Sequence, residues 1–385
     1  RQAHRTQPTL HNSRRLRTQP ELGRDHPGAL RTTALTPRAV LPSRTRRVVL
    51  HSLVLALPAI SARPIPALPA ATLTTGPGQR FPSLAAAVAA ARDGDTLLLL
   101  PGTYLDDFAT IGRRLTLRSV GGLAEFVATA PPPNGKAILV IDTDVTIEGL
   151  SFAGSTSRSQ NGAGIRYQGG HLRLRRCRFR GNQMNLLAAG DPAGSITIER
   201  CEFGPTVTST SLSHGLYVNV VGTLTVRDSL FHGAATGHQI KSRALRSSIT
   251  GCRILDRDSH ASYSVDLPNG GLAVLEGNLI EQGPNSRNPA IIHFGGEDEP
   301  HLDSALRIAR NTVVNNLDSP AARLLRNQTG AVARIAENRV FGLDDRQIAD
   351  GPAEVSGTQR PATPPVLDTA PPWAPAWHPS GARRR

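Results

Sequence analysis

A short pattern of apolar positions recurs eight times between residues 147 and 340. In each copy an apolar residue is followed three places later by a position that we call the ladder residue, and a second apolar residue comes two places after that. The ladder residues are Leu150, Cys177, Cys201, Ser229, Cys252, Asn278, Asn311 and Asn338. All sixteen flanking positions are apolar, although successive copies are 23 to 33 residues apart. A chain that returns to the same register in every copy predicts a solenoid, with the variation in length confined to one loop per turn.

The composition of the copies favours strands over helices. They are rich in β-branched residues, and turn-forming pairs such as Asp228-Ser229 and Gly277-Asn278 interrupt them. Helical repeats of similar length are the alternative, but runs with helical spacing are few. We therefore predict an all-β chain that forms a single-stranded right-handed parallel β-helix of about ten turns. Its ladder residues should point inward at a corner and bond to their own and neighbouring turns.

Segments on either side of the repeats predict how the solenoid is closed. Residues 83–91 are typical of a short helix with Ser83 as its N-cap, which would cap the open edge of the first turn. We predict a β-helix domain at residues 72–343 and a Pro-rich C-terminal tail at residues 344–385. The tail either lies along the rod and covers its last turn or is disordered.

The charge of the chain is concentrated at its two ends. Of the net charge of +14, residues 1–47 contribute +9, from eleven Arg and two acidic residues, and the last three residues contribute +3. The remainder is close to neutral, and neither end interleaves its charges with aromatic residues. We therefore expect no nucleic-acid partner.

The N-terminal region has the organisation of an export signal. A basic stretch at residues 44–47 precedes a mostly apolar run at residues 48–60, and a small-x-small cleavage site follows at residues 59–61. The apolar run is too short to span a bilayer. A chance apolar segment in an Ala- and Leu-rich chain is the alternative.

This organisation predicts a signal peptide at residues 44–62, preceded at residues 1–43 by a disordered or non-native extension. The protein should then be periplasmic or secreted, without an integral membrane segment. We expect it to be a monomer.

The three cysteines all occupy ladder positions. Cys177 and Cys201 would stack on successive turns at a spacing that permits a disulfide. We expect free, buried thiols instead, because neighbouring ladder positions hold Ser and Asn. No spacing of Cys and His indicates a metal site.

An earlier strand in each turn has equivalent positions that form a second column, and this column carries ionisable residues. Six strands can be aligned by apolar anchors, and the residue after each anchor points outward because side chains alternate across a strand. These outward residues are Arg166, Leu187, Tyr217, Lys241, Asp266 and His293. Asn219 and Arg243 flank the column, and His293 would turn inward if Ile291 rather than Ile292 were its anchor. We predict an exposed ladder of ionisable side chains, for which a plain solvated face is the alternative.

This column could support chemistry beside a carboxylate. Lys241 is one of two Lys in a chain with forty-two Arg, and an ammonium whose pKa falls toward neutrality can act as a base. Abstraction of the proton beside a uronate carboxylate begins both β-elimination and C5 epimerisation. We predict Lys241 as the base and Arg243 as the carboxylate clamp, with Tyr217 or His293 as the acid.

Other polar residues of this region are assigned smaller roles. The predicted substrate-contacting residues are Arg166, Asn219, Arg243 and Asp266. His214 and His238 begin strands and are predicted to cap turns. The acidic run at residues 297–299 is a weak calcium candidate, because it offers oxygen ligands without a diagnostic spacing. No other cofactor is expected.

Two segments resemble known β-helix proteins. Residues 78–104, with Gly-Gln-Arg-Phe-Pro-Ser-Leu at the start and Asp-Gly-Asp-Thr-Leu-Leu-Leu-Leu-Pro-Gly-Thr-Tyr at the end, strongly resemble the opening of the pectate-lyase-like right-handed parallel β-helix superfamily. Residues 240–242, Ile-Lys-Ser, look like the lysine-bearing strand of chondroitinase-B-like and alginate-lyase polysaccharide lyases. The second resemblance also implies an arginine on the following turn, where residues 263–267 read Tyr-Ser-Val-Asp-Leu.

The ionisable column and the two family resemblances together suggest two main functions. The first is an exported β-helix protein that binds an acidic polysaccharide, with cleavage by β-elimination or epimerisation as the reaction. The second is a noncatalytic scaffold or glycan-binding protein of the cell envelope. Hydrolysis by paired carboxylates is a weaker third hypothesis, because Asp266 has no carboxylate partner in its own column.

Overall fold

The structure is a computed structural model that describes residues 69–207, 213–297, 300–367 and 370–371. The described chain forms a right-handed parallel β-helix of about ten turns, which confirms the predicted fold. Each full turn adds one strand to each of three sheets, A, B and C, and the strands pair in parallel. The predicted extension and signal peptide lie outside the described residues.

The strands follow one another in the order A, B, C along the chain. The strands of sheet A are Thr72–Thr75, Thr96–Leu99, Leu115–Ser119, Val145–Glu148, His171–Arg175, Asp191–Glu199, Val221–Arg227, Arg246–Thr250, Leu272–Glu276, Ala305–Ala309, Ala333–Ala336 and Ala353–Ser356. Those of sheet B are Gly102–Leu105, Ala124–Val127, Leu150–Ala153, Arg178–Arg180, Glu202–Phe203, Leu230–His232, Arg253–Leu255, Leu279–Gln282, Thr312–Asn315 and Arg339–Phe341. Those of sheet C are Ala109–Ile111, Ala137–Asp142, Ala163–Gly169, Met184–Ala188, Leu216–Val218, Ile240–Ser242, Val265–Leu267, Ala290–Phe294, Arg323–Asn327 and Ala349–Asp350.

The corner between sheets A and B explains the repeated pattern. The residue before every ladder residue has a left-handed backbone, with φ between 46° and 74°. These residues are Gly149, Arg176, Arg200, Asp228, Gly251, Gly277, Arg310 and Glu337. One left-handed residue turns the chain sharply and directs the ladder side chain inward, so the conformation recurs even where glycine is absent.

The ladder side chains bond across successive turns. Asn278 Oδ1 accepts a hydrogen bond from Cys252 N at 2.8 Å, and Asn278 Nδ2 donates to Ile249 O at 3.0 Å and to Asn311 Oδ1 at 2.9 Å. Asn311 bonds to Asn338 in the same way. Buried backbone groups at the corner are thereby satisfied.

Replacing Asn278 with leucine should lower the free energy of unfolding by about 1 to 3 kcal/mol, because buried backbone groups lose their partners. Asn285 is exposed and makes one hydrogen bond, from its Nδ2 to Asp258 O. Asn285→Leu should therefore change the same quantity by no more than about 0.5 kcal/mol. Urea denaturation of both variants checks the difference, and equal losses would contradict the buried role of Asn278.

A short helix lies at the N-terminal end of the described solenoid. It spans Leu84–Ala90, and the Ser83 hydroxyl accepts a hydrogen bond from Ala86 N at 3.2 Å. The helix packs against Thr72–Thr75 and Ala109–Ile111, which are the first strands of sheets A and C.

The C-terminal end of the solenoid extends beyond the predicted boundary at residue 343. A 3-10 helix at Asp345–Gln347 is followed by two more strands, Ala349–Asp350 and Ala353–Ser356. These pair with the previous strands of sheets C and A in the established register. In this turn Thr358 takes the ladder position, after a left-handed Gly357, but Arg360 stands two places later where every earlier copy has an apolar residue. The apolar pattern therefore does not extend to these strands.

The chain then runs along sheet B. Val340 N donates to Gln359 O at 2.9 Å, and Gln359 N donates to Asn338 O at 2.8 Å. Farther along, the Arg253 guanidinium donates to Ala370 O. None of the helices among the described residues is long and apolar enough to cross a membrane.

Candidate functional site

The ionisable column lies on sheet C in the predicted register. Tyr217 pairs with Lys241, Lys241 pairs with Asp266, and Asp266 pairs with His293 on successive strands. Ile292 is the anchor beside His293, because it pairs with Val265. The four side chains therefore leave the sheet on the same side.

The prediction that this column is exposed was wrong for its last three members. Lys241, Asp266 and His293 are 7%, 1% and 5% exposed. Glu297 contacts Lys241, and Gln328 contacts His293. Both covering residues belong to loops, whose positions the strand periodicity does not reveal.

Asp266 is the centre of the site. Its Oδ2 lies 2.8 Å from Lys241 Nζ and 3.2 Å from His238 Nε2, and its Oδ1 lies 2.7 Å from His293 Nδ1. Burial alone would raise the pKa of Asp266, but His293, His238 and Lys241 together hold it below its ordinary value. Asp266 is therefore a buried carboxylate with three donors.

Hydrogen bonds to the backbone determine the state of His238. Its Nδ1 accepts from Tyr263 N at 3.1 Å, so the proton of the neutral ring must be on Nε2, which faces Asp266. Burial lowers the pKa of His238 to about 4. His214 Nδ1 likewise accepts from His238 N at 3.0 Å.

Both histidines thus bond to the backbone of the following turn, but His238 also belongs to the site, which the prediction of turn capping missed. A signal for this was present in the sequence. His214, His238 and Tyr263 are spaced by one turn, in step with Tyr217, Lys241 and Asp266, and the rings of the first three are stacked.

Glu297 completes the site from a neighbouring loop. Its Oε1 lies 2.7 Å from Lys241 Nζ, and its Oε2 pairs with the Arg243 guanidinium. Arg243 also donates from Nε to the Tyr217 hydroxyl at 3.2 Å and from Nη1 to Asn269 Oδ1 at 2.6 Å. We call the following connected residues the charged network: Tyr217, His238, Lys241, Arg243, Asp266, Asn269, His293 and Glu297.

Lys241 and Arg243 remain charged in this arrangement. Burial would lower the pKa of Lys241, but Asp266 and Glu297 raise it above its ordinary value. The pKa of Glu297 is lowered by Lys241 and Arg243 against the opposing effect of burial. Glu297 therefore neutralises both cations in this arrangement. The rest of the calcium candidate, residues 298–299, lies outside the described residues. Within the described chain, no three His, Cys, Asp or Glu side chains are grouped as metal ligands.

Two predicted substrate-contacting residues lie apart from the charged network. Arg166 belongs to the same column but is separated from Tyr217 by Leu187, and its Nε is buried without a hydrogen-bond partner. Asn219 uses its Oδ1 to accept from Val220 N at 2.9 Å. By contrast, Asn269, Glu297 and Gln328 contact the predicted residues. The sequence indicated Glu297 only as part of a calcium candidate and did not indicate Asn269 or Gln328 as site residues.

A concave surface elsewhere does not contain this chemistry. A groove of about 630 Å³ lies on the outer face of sheet A, and Arg246, Leu272, Val274 and Arg307 are among the residues that line it. None of its lining residues belongs to the charged network. The candidate site is therefore defined by its side-chain chemistry.

The comparisons with known proteins bear on the fold alone. No family model matches the chain, and no curated protein matches its sequence. Among solved structures, an alginate lyase from Paenibacillus sp. str. FPU-7 is 16% identical with a TM-score of 0.50, and the match covers 75% of this chain and 99% of the lyase. Pectate lyase Pel9A is 15% identical with a TM-score of 0.47, and the match covers 75% and 78% of the two chains.

The A-module of a mannuronan C-5 epimerase from Azotobacter vinelandii is 14% identical with a TM-score of 0.35, and the match covers 73% of this chain and 94% of that one. At such identities the alginate lyase match shows the fold alone. This match agrees with the parallel β-helix described above.

Proposed function

We propose that this protein binds an acidic polysaccharide along the outer face of sheet C, and that Lys241 and Arg243 hold a uronate carboxylate there. The supporting observation is the position of the Glu297 carboxylate, which lies between Lys241 and Arg243. A uronate carboxylate has the same charge and planar shape. It could therefore take the same contacts.

The reaction proposed for this site is proton abstraction beside the bound carboxylate, which leads to β-elimination or C5 epimerisation. The two cations would stabilise the charge that develops on the carboxylate when the neighbouring proton leaves. Elimination then expels the glycosidic oxygen, which receives a proton from the acid–base residue, whereas epimerisation adds a proton from water to the opposite face.

The structure changes the role that we assign to Lys241. A general base must be able to lose its proton near the working pH, whereas two carboxylates raise the pKa of Lys241. We therefore assign carboxylate binding, together with Arg243, to Lys241.

Tyr217 and His293 cannot both act on one sugar carbon. They are three strands apart, and strands of a sheet are about 4.8 Å apart, so about 14 Å separates their positions. Tyr217 occupies the strand next to Lys241, and its hydroxyl contacts Arg243. We assign the acid–base role to Tyr217, while His293 would contact another part of the chain.

A noncatalytic glycan-binding protein of the envelope is the second candidate. It is supported by the turn after Lys241, where Asp266 stands in place of the arginine that the lyase resemblance implies. Export, to the periplasm or outside the cell, is part of both proposals. It depends on the N-terminal segment that lies outside the described residues.

One experiment separates the two candidates. Purified residues 63–385 would be incubated with polyuronides and glycosaminoglycans while the ultraviolet absorbance of an unsaturated product is followed. Deuterium uptake from D2O would detect epimerisation. An unsaturated product or deuterium uptake supports an enzyme, whereas retention on an immobilised glycan without either supports the binding protein. The absence of turnover and of retention would reject the proposal.

Replacing Arg243 with alanine should weaken binding of the retained polysaccharide by about 1.5 to 3 kcal/mol, because a charge-assisted hydrogen bond is lost. Arg334 is exposed on sheet A and pairs loosely with Glu354, at 4.0 Å. Arg334→Ala removes the same charge away from the site and should leave the affinity unchanged. Isothermal titration of both variants makes the comparison, and an equal loss would indicate only a general effect of charge.

A further inference from the structure

We propose that Glu297 is a built-in competitor for the ligand, and that the site therefore selects polymeric polyanions over free uronic acids. This inference rests on the proposed function, because it concerns the same two cations. It adds a requirement for the ligand, which must displace an internal carboxylate before it can bind.

Arg243 leaves little room for an additional carboxylate. Its Nε and Nη1 donate to Tyr217 and Asn269, and its Nη2 pairs with Glu297. These contacts fix the plane of the guanidinium. A ligand carboxylate must therefore replace Glu297 rather than bind beside it.

Burial indicates which of the two carboxylates on Lys241 can leave. The side chain of Asp266 is 1% exposed and has three donors, whereas that of Glu297 is 38% exposed. When Glu297 moves into water, Lys241 still pairs with Asp266, and Arg243, which is partly exposed, keeps its hydrogen bonds to Tyr217 and Asn269. Displacement of Glu297 is thus much less costly than displacement of Asp266.

The backbone near Glu297 places its carboxylate over the cations. Gly295 and Gly296 have φ values of 81° and 89°, and a Cβ on Gly296 would lie 2.4 Å from Gln328 Oε1. Gly295 N donates to Leu267 O at 2.9 Å, and Glu297 N donates to Pro268 O at 3.2 Å. The loop is thereby joined to the preceding turn of sheet C.

An internal carboxylate held in this way acts at a high effective concentration. Groups joined by a short tether commonly act at millimolar levels or above. A free uronic acid offers one weak contact and should lose this competition. A polymer adds contacts along the sheet and can displace Glu297 through their combined affinity.

Glu297→Gln tests this inference, with Glu354→Gln as the matched control on an exposed glutamate of sheet A. The first readout is the melting temperature in sodium acetate, compared with sodium chloride at the same ionic strength. Acetate should stabilise Glu297→Gln selectively, because it can occupy the vacated site, and should not stabilise the wild type or the control. Glu297→Asp retains the charge on a shorter side chain and should respond to acetate to an intermediate degree.

The second readout is titration with galacturonate and with a galacturonate hexamer. Glu297→Gln should bind the monomer at least about tenfold more tightly than the wild type does, and it should gain a similar factor for the hexamer, because both ligands must displace the same carboxylate. Equal responses of Glu297→Gln and the wild type to acetate and to the monomer would overturn the competitor role, even if the polymer binds. Selective acetate stabilisation without binding of any polyuronide or glycosaminoglycan would support the competitor role and reject the proposed polysaccharide ligand.

Discussion

Replacing Asp266 with alanine should lower the free energy of unfolding by about 3 to 5 kcal/mol, because the variant leaves buried donors without their carboxylate. Lys241 would lose its buried partner, and His238 and His293 would lose the acceptor that orients their rings. Urea denaturation at neutral pH, with the slope of the transition checked for change, measures this loss.

Asp350 provides the matched control. It lies in the same column of sheet C and pairs with Arg323 at 2.9 Å and with Arg326 at 3.5 Å, but its side chain is 48% exposed. An ion pair that remains in contact with water contributes no more than about 1 kcal/mol. Equal effects of Asp266→Ala and Asp350→Ala would show that the charged network does not stabilise the fold.

The contribution of Asp266 should also depend on pH. Its pKa is lowered in the folded protein, so the folded state binds fewer protons than the unfolded state at acidic pH. The stabilisation should be fully present above about pH 4, the ordinary range of an aspartate, and should be lost as the pH falls through the folded pKa. The stability difference between the wild type and Asp266→Asn should therefore shrink in acid.

The features that could be predicted are those that recur once per turn. Asn278, Asn311 and Asn338 form an inward ladder because stacked parallel strands repeat the same environment at the same place. The order of Tyr217, Lys241, Asp266 and His293 follows from the same repetition. Periodicity identifies neighbours on adjacent strands even when the intervening loops differ in length.

The features that could not be predicted come from those loops. Glu297 lies 56 residues from Lys241 along the chain and occupies no position in the repeat. Its loop converts an exposed row of charges into a buried network. The same contact is the reason why we propose carboxylate binding rather than proton abstraction for Lys241. A single sequence contains no periodic signal for such a contact, whereas His238 could have been found from its one-turn spacing.

The second large effect is expected in the core of sheet B. Tyr104, Phe126, Phe152, Phe179, Phe203 and Phe231 form one stacked column, with ring centroids 4.6 to 5.7 Å apart. Phe203 is fully buried, and its ring lies 4.7 Å from Phe179 and 4.6 Å from Phe231. Removing the Phe203 ring would therefore remove a stacking contact from Phe179 and from Phe231.

Phe203→Ala should lower the free energy of unfolding by about 3 to 5 kcal/mol, through lost transfer energy and the cavity that remains. Phe203→Leu retains more of the volume but removes both ring pairs, which contribute about 0.5 to 1.5 kcal/mol each beyond burial. Ile280→Leu, in the same column beyond the rings, repacks a buried side chain without removing an aromatic pair and should cost less than about 1.5 kcal/mol. Denaturation curves of the three variants should therefore rank the losses as Phe203→Ala, then Phe203→Leu, then Ile280→Leu. A wild-type-like transition for Phe203→Ala would place this side chain outside the core and would disprove the register of the whole column.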